Sequence, residues 1–559
     1  MASFTPNLVE LTRRARCEPL LAEQLDALRD ATLEVLADVG VVFPSAVALD
    51  LFAEAGATVD RESGLVRLSP DLVAQALAGA PRNFVLAGRE ERFDLHLDGR
   101  KVHICTEGVG TRVVDLDSGH VRSSRKDDVA TFARVVDALP LVGFVWPPVS
   151  AQDHPASAPL HECHAALTNT LKHVRGGTTM QPVLARAAVH MAEVVAGSSR
   201  DVRQRPPICA NICTIAPLSQ DPVGIEAALI YAQAGVPVSF MAMPAAGSTA
   251  PASLLGALVQ GEAEVVAGMV LLQLAQPGCP VMHSNYVALT DPRTGGYVGE
   301  VPLRLDPIVA QLSHEAWGVP DLGGVALSGD SRDVDWVAGM RTGMGAALLP
   351  SDASDISGYL GGLTAGAMVL HPELLILQHE ALMNARAWSE GVRFERADLA
   401  LDVIRDIGPG GHFMAHRHTR EHLRDFHLTL WQKVAETAAA GRGGASPASA
   451  SDRTEPSGAE LSAVRAAARS EYARLAREHE PEPISDDVLA ELDAIVAAAE
   501  RQLQRCDEGP RRRRDRLPGA TTKPFASSTT SAKAWRRRSP TEGGGSLSGQ
   551  LQRERKRLT

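Results

Sequence analysis

Short apolar runs closed by proline or glycine recur through the middle of the chain, separated by longer stretches whose apolar positions fall three and four apart. The runs are LVGFVWPP from Leu141, LKHVRGG from Leu171, PPICANICTIAP from Pro206, VPVSFMAMP from Val236, CPVMHSNY from Cys279 and PDLGGVALSGD from Pro320. Runs this short, bounded by turn formers, read as strands, and their lack of in/out alternation fits strands covered on both faces. The intervening periodicity predicts helices over residues 127–139, 181–196, 222–235, 332–349, 372–391 and 398–407, with a long one closing the Val236–Leu274 unit. Strand–helix alternation over roughly 250 residues is the pattern of a parallel α/β fold, and a (β/α)8 TIM barrel fits that length. A doubly wound sheet is the alternative, but no G-x-G-x-x-G opens a helix after a first strand. GVGTR at residues 108–112 is too short and leads into VVDLDSG, which has hairpin character.

Ahead of these units, residues 21–39 and 44–55 are amphipathic at helical spacing and stop at Gly40 and Gly56. ATVDRESGLVRL reads as a hairpin turning at Ser63-Gly64, and Ser69-Pro70-Asp71 marks a helix start. The expected organisation is a helical N-terminal region at 1–100 packed on the barrel and the barrel itself at 101–436. An Ala/Gly/Ser/Pro-rich linker at 437–460, a C-terminal helical hairpin at 461–505 and a basic, disordered tail at 506–559 follow.

Composition adds a large apolar fraction, 45%, with only 4% aromatics, so small aliphatic residues fill much of the interior. The formal charge of −11 is uneven: residues 506–559 hold 14 Arg/Lys against 5 Asp/Glu, which leaves the rest of the chain near −20. So acidic a body argues against a nucleic-acid partner, and only the basic tail could act as a binding arm. No start combines a basic stretch, an apolar run and a small-residue cleavage site, and no uninterrupted membrane-length apolar run occurs. A cytoplasmic protein without membrane contact is expected. Seven cysteines without dense spacing fit reduced thiols.

Glu264 stands out because it interrupts an apolar helical face, and a buried carboxylate needs a partner or a function. An exposed or salt-bridged side chain is the plainer alternative. A glycine-rich loop, GPGGHFMAHRHTREHLRDFH from Gly408, gathers His412, His416, His418 and His422. HECH at 161–164 lacks the spacing of H-E-x-x-H, and Cys209 and Cys213 sit inside an apolar run as small buried thiols. No G-x-S-x-G occurs, and no bound metal is expected.

Several of these stretches together resemble the trimethylamine methyltransferase family, corrinoid-dependent enzymes that include quaternary-amine demethylases. The resemblance rests on MPAAGSTAP from Met243, GEAEVVAGMVLLQLAQPG from Gly261, DPRTG at 291–295, GDSRDVD at 329–335 and LALDVIRDIGPGGHFMAHRHT at 399–419. It implies a TIM barrel that moves a methyl group from a methylated amine to cob(I)alamin carried by a partner corrinoid protein, with a homo-oligomer expected. Founding members carry pyrrolysine, which this sequence lacks, so the resemblance implies a quaternary amine such as a betaine rather than trimethylamine. Glu264 and Asp330 are then the expected catalytic carboxylates. Trp146, Tyr286, Asp291 and Arg293 are the expected substrate-binding residues, with Tyr297 as a third aromatic, and Gly410, Gly411, His412, His416 and His418 are expected at the corrinoid. A metal-dependent barrel hydrolase and a non-catalytic betaine-binding or corrinoid-protein-binding homologue are the competing readings.

Overall fold

A computed structural model describes residues 5–11, 13, 15–176, 180–298, 302–392, 394–422 and 458–514. Most of the expected linker at 437–460, and the tail beyond 514, lie outside the described residues. Residues up to Gln504 form one compact unit, to which the description below applies.

Eight parallel strands close into a ring. They are β1 (His103–Thr106), β2 (Val142–Val145), β3 (His173–Arg175), β4 (Ile208–Ile215), β5 (Val238–Ala242), β6 (Val281–Asn285), a two-residue β7 at 321–322 and β8 (Ile356–Leu360). Successive strands pair in parallel from β1 to β6. Asp321 bridges to His283 and Leu322 to Ile356, and β8 returns to β1 through Ile356 opposite His103. The closed barrel expected from sequence is therefore present. Two of its strands, β1 and β8, were not among the apolar runs picked out above.

Around the ring stand eight helices, one after each strand. They are α4 (Lys126–Asp137), α5 (Ala158–Thr168), α6 (Pro182–Ala196), α7 (Pro222–Ala234), α8 (Leu254–Ala275), α9 (Pro302–Gln311), α10 (Trp336–Leu348) and α11 (Pro372–Glu390). Caps fix several starts. Asp221 accepts from the Gly224 amide at 2.6 Å with Pro222 in the first turn, and Asp335 accepts from Ala338 at 3.0 Å, each satisfying an orphan amide. The long α8 is apolar enough to cross a membrane, yet most of it is buried here, against α7 and the amino-terminal helices α1 (Ala22–Glu34), α2 (Ala46–Glu54) and α3 (Pro70–Leu77). A helix apolar all round is here a core helix.

The first hundred residues are less helical than expected. Besides α1 to α3 they hold an antiparallel pair, Thr58–Asp60 with Leu65–Arg67, and a hairpin, Phe84–Leu86 with Leu95–Leu97. The hairpin plugs the amino-terminal end of the barrel. Ala87 donates to the Pro206 carbonyl just before β4, and the His173 ring meets the Ala87 carbonyl at 3.0 Å. Leu86, Leu95 and Leu97 pack directly on the barrel interior.

The two C-terminal helices form but do not make a free hairpin. The first, α12 (Gly458–Glu478), lies on α11 and α4, with Arg465 paired to Glu373 and Asp333 at 2.8 Å each. The second, α13 (Asp486–Arg514), extends past the residue where composition suggested a tail. Its Leu492, Ile495, Val496 and Ala499 join the core beside α5, and Glu500 accepts from His161 and Ser157 at 2.9 Å each. Each helix buries apolar residues against the barrel's outer helices, Ala468 and Tyr472 of α12 in one cluster and Leu492 to Ala499 of α13 in the other.

Candidate active site

Two small sheets ring the carboxyl end of the barrel. One joins the loops after β5 and β6, at Ala245–Ala246, Ala288–Thr290 and Tyr297–Val298. The other joins the loops after β8 and β1, pairing Leu363–Thr364, Val369–Leu370, Arg112–Val114 and Val121–Ser123. Chemistry on this fold gathers at that end, because the strand-to-helix loops converge there.

Inside the ring, Cys105, Phe144, Trp146, Cys209, Met282, Leu322, Ala326 and Tyr359 form an apolar lining. Into it β3 delivers a charge. Arg175, its last residue, is 0% exposed, and its Cζ lies 3.4 Å from the centre of the Trp146 ring. None of its three side-chain nitrogens has a hydrogen-bond partner among the described residues. The titratable groups that act on it are the Tyr359 phenol and the Cys209, Cys213 and Cys105 thiols. Burial pushes Cys209 up to about 12 and raises the other three as well, so near neutral pH none of the four is an anion.

Trp146 is held by its backbone. Its amide donates to Thr106 Oγ1 at 2.6 Å, and that hydroxyl donates to the Trp146 carbonyl at 2.7 Å. Its ring meets Tyr359 edge-on with centroids 6.2 Å apart, and neither Trp146 Nε1 nor the Tyr359 hydroxyl has a hydrogen-bond partner among the described residues. The chain passes so close here that a Cβ at Gly108 would stand 2.0 Å from the Pro147 carbonyl oxygen, so residue 108 must be glycine.

Glu107, immediately after β1, is the carboxylate of this mouth. Its residue is partly exposed while Oε2 is buried, and neither Oε2 nor the nearby Ser328 Oγ makes a hydrogen bond of good geometry among the described residues. Burial raises it to about 7, with Ser328 and the Arg341 guanidinium only partly offsetting that cost. Both Glu107 and Arg175 act on the Cys105 thiol, Arg175 lowering and Glu107 raising its pKa, so both groups lie within electrostatic reach of that interior position.

The residues expected from sequence divide. Trp146 lies in this interior, and Tyr286, partly buried, follows β6 at the rim. Glu264 does not face the barrel. Buried on α8, it accepts from Thr214 Oγ1 at 2.5 Å, the Leu218 amide at 2.9 Å and Gln260 at 3.1 Å, which latches the turn after β4. Its carboxylate is saturated by a structural task. Glu264→Ala should leave the Leu218 amide and Thr214 unpaired and cost about 2–4 kcal/mol in denaturant unfolding. Asp330 is exposed on the loop before α10, beside the Gly366 turn. Asp291 and Arg293 bond to each other on an exposed rim turn, with Arg293 Nε at 3.2 Å. Gly410, Gly411, His412, His416 and His418 lie on an arm after α11 rich in exposed apolar groups such as Phe394 and Met414; His416 there meets Asp406 at 3.2 Å. The Tyr297 side chain lies outside the described ones.

Arg175, Glu107 and Tyr359 were not anticipated. The signal for Arg175 was a cation just before the Gly-Gly that ends the run LKHVRGG, and that for Glu107 was a carboxylate after the short run HICT.

Two other features compete for attention. A hollow of about 730 Å³ lies at the amino-terminal end, among Thr5, Arg134, Leu171, His479 and Glu480, far from the strand ends that carry chemistry. His154, His161 and Glu500 bring ligand atoms within 4.8 Å of one another, but on the outer wall where α13 docks.

With this geometry in hand, the chain was compared with known proteins. A family profile, "Trimethylamine methyltransferase (MTTB)", matches residues 2–503. The chain belongs to the trimethylamine methyltransferase family. Among its relatives, Trimethylamine methyltransferase MttB of Desulfitobacterium hafniense is 30% identical over 422 residues, covering 72% of this chain and 81% of that protein. Glycine betaine methyltransferase of the same species is 29% identical over 73% of this chain and 85% of its own length. Trimethylamine methyltransferase MttB of Methanosarcina barkeri is 28% identical, covering 86% and 95%. A solved structure of the Methanosarcina barkeri monomethylamine methyltransferase covers 83% of this chain and 90% of its own at 12% identity with a TM-score of 0.43; the barrel assignment rests on strand pairing and not on that likeness.

Proposed function

We propose that this chain is a methyltransferase that takes a methyl group from a quaternary ammonium compound and passes it to the reduced corrinoid of a partner protein. The observation that carries the reading is the barrel interior itself. Trp146 and Tyr359 present aromatic surface, and the partly exposed Glu107 carboxylate follows β1 at the mouth. A quaternary cation is held by aromatic faces and a carboxylate without any hydrogen bond to its nitrogen.

Reduced cobalt supplies the nucleophile when the partner is bound, so no nucleophilic side chain is required of this chain. What its residues supply is placement and dryness. The plug hairpin closes one end and the aromatic lining excludes water from the other, so the methyl group meets its acceptor in a fixed line. A low-dielectric lining also favours a step in which the positive charge on nitrogen disappears. The departing tertiary amine is neutral and needs no proton, so the step asks no acid catalysis of these side chains. The rim residues Asp291 and Arg293, and the arm with Gly410, Gly411, His412, His416 and His418, suit contact with the corrinoid partner better than contact with substrate. Glu107 takes the role expected of Glu264 and Asp330.

The test is methylation of cob(I)alamin by the purified chain with glycine betaine, choline and trimethylamine in turn. Transfer from a quaternary compound is expected, and transfer from trimethylamine alone would refute the proposal.

A further inference from the structure

The wholly buried Arg175 has no role in holding the fold together that the described residues reveal. A guanidinium withdrawn from water with all its donors idle is costly, and such a group calls for an acceptor, best of all an anion. The four titratable groups around it stay neutral near pH 7, as set out above, and none of them can act as that anion. Stacking on Trp146 occupies one face of the guanidinium plane but not its edge, where the N–H groups point. That edge is shaped for a carboxylate, which can take two parallel hydrogen bonds. Glu107 stands at the partly exposed side of the same interior, so the site offers a cation within and an anion at the mouth.

We propose that Arg175 receives a carboxylate carried by the substrate, so that the compound lies with its acid group innermost and its methylated nitrogen toward the mouth. The proposal rests on the methyltransferase reading and narrows it to zwitterions of the betaine type. It also gives the site a filter. A quaternary amine with a hydroxyl or nothing in place of the acid would leave the guanidinium buried and unpaired, a situation that binding sites reject strongly.

Titration calorimetry on the full chain tests this with three probes: glycine betaine, choline, and 3,3-dimethylbutanoate, a carbon isostere that keeps the carboxylate and lacks the positive charge. Glycine betaine should bind at least about a hundredfold more tightly than choline, and dimethylbutanoate should bind measurably and compete with betaine. In Arg175→Met both carboxylate ligands should lose affinity, with Arg175→Lys intermediate, while the melting temperature holds or rises because an unpaired buried charge has been removed. Choline binding as well as betaine, or no binding of dimethylbutanoate, overturns the proposal, as does a melting temperature that falls steeply in Arg175→Met while the wild-type chain shows no preference for the acids. The two readings fail separately. Equal methyl transfer from choline and betaine removes the Arg175 assignment alone, whereas carboxylate-selective binding without transfer from any methylated amine removes the methyltransferase reading and leaves Arg175 an anion receptor.

Discussion

His283→Ala should lower the unfolding free energy by about 3–5 kcal/mol, the largest stability loss expected of any single substitution considered for this chain. His283 alternates with the inward Met282 and so points out of the ring, into the layer between β6 and α8. There its Nε2 meets Glu262 Oε2 at 3.0 Å and its Nδ1 lies 3.5 Å from Asp321 Oδ1. Asn285 and Trp317 donate to the same Glu262 carboxylate at 2.9 and 2.8 Å. All three charged side chains are 0% exposed. Burial alone would pull the imidazole down, but Glu262 and Asp321 outweigh it and hold His283 up at about 10. Removing the cation leaves a carboxylate with two neutral donors in a sealed layer, and that uncompensated charge is the source of the penalty. The sign of the pH effect follows. A pKa raised on folding contributes stability that is complete below the unfolded value of about 6.5 and is lost as pH rises towards about 10. Denaturant melts of the wild-type chain should therefore weaken between pH 7 and 10 more than those of the His283→Ala variant. Equal slopes would show that the imidazole is neutral in the folded chain.

The second large effect concerns ligand rather than stability. Glu107→Gln should weaken binding of a quaternary ammonium ligand about tenfold or more at pH 8 and remove the pH dependence that the wild type shows. With its carboxyl raised to about 7, Glu107 is mostly ionised at pH 8 and about one-tenth ionised at pH 6, so wild-type affinity should fall close to tenfold across that interval. For the fold the sign is opposite to that of an ordinary paired carboxylate. A carboxyl whose pKa is raised on folding stabilises the native state below its unfolded value and loses that contribution as pH climbs through about 7. A bound cation should reverse part of that loss. Calorimetry from pH 6 to pH 8 in buffers of different ionisation enthalpy would register the proton released on binding. A flat profile in the wild type would exclude Glu107 from the site.

The barrel was legible in the sequence because six of its strands are continuous apolar runs, and burial on both faces leaves no other reading of them. The remaining two fell below that signal for identifiable reasons. His103–Thr106 has only four residues and opens on a histidine, while Ile356–Leu360 is broken by Gly358, whose positive φ and local register shift serve the bend. The site was only half legible. Trp146 could be placed at a strand end by position, whereas the partners that Glu264 needs could not be read from its helix alone. A carboxylate in an apolar helix does need partners, and it found them in Thr214, Leu218 and Gln260, which periodicity along a single helix cannot show. Arg175 carries the converse lesson. The run from Leu171 carries both Lys172 and Arg175, and nothing in it says which of them faces inward; only closure of the ring makes Arg175 an interior cation.

The plug formed by Leu86, Leu95 and Leu97 closes the amino-terminal end among the described residues and leaves the carboxyl end as the way in. In a transfer between two proteins, that doorway must serve the incoming amine, the visiting cobalt and the spent amine alike. Turnover then becomes a matter of queueing. If the proposed transfer to a partner protein holds, the amine has to be seated before the partner arrives and the product leaves only after it departs, so an excess of partner should slow turnover in a steady-state assay.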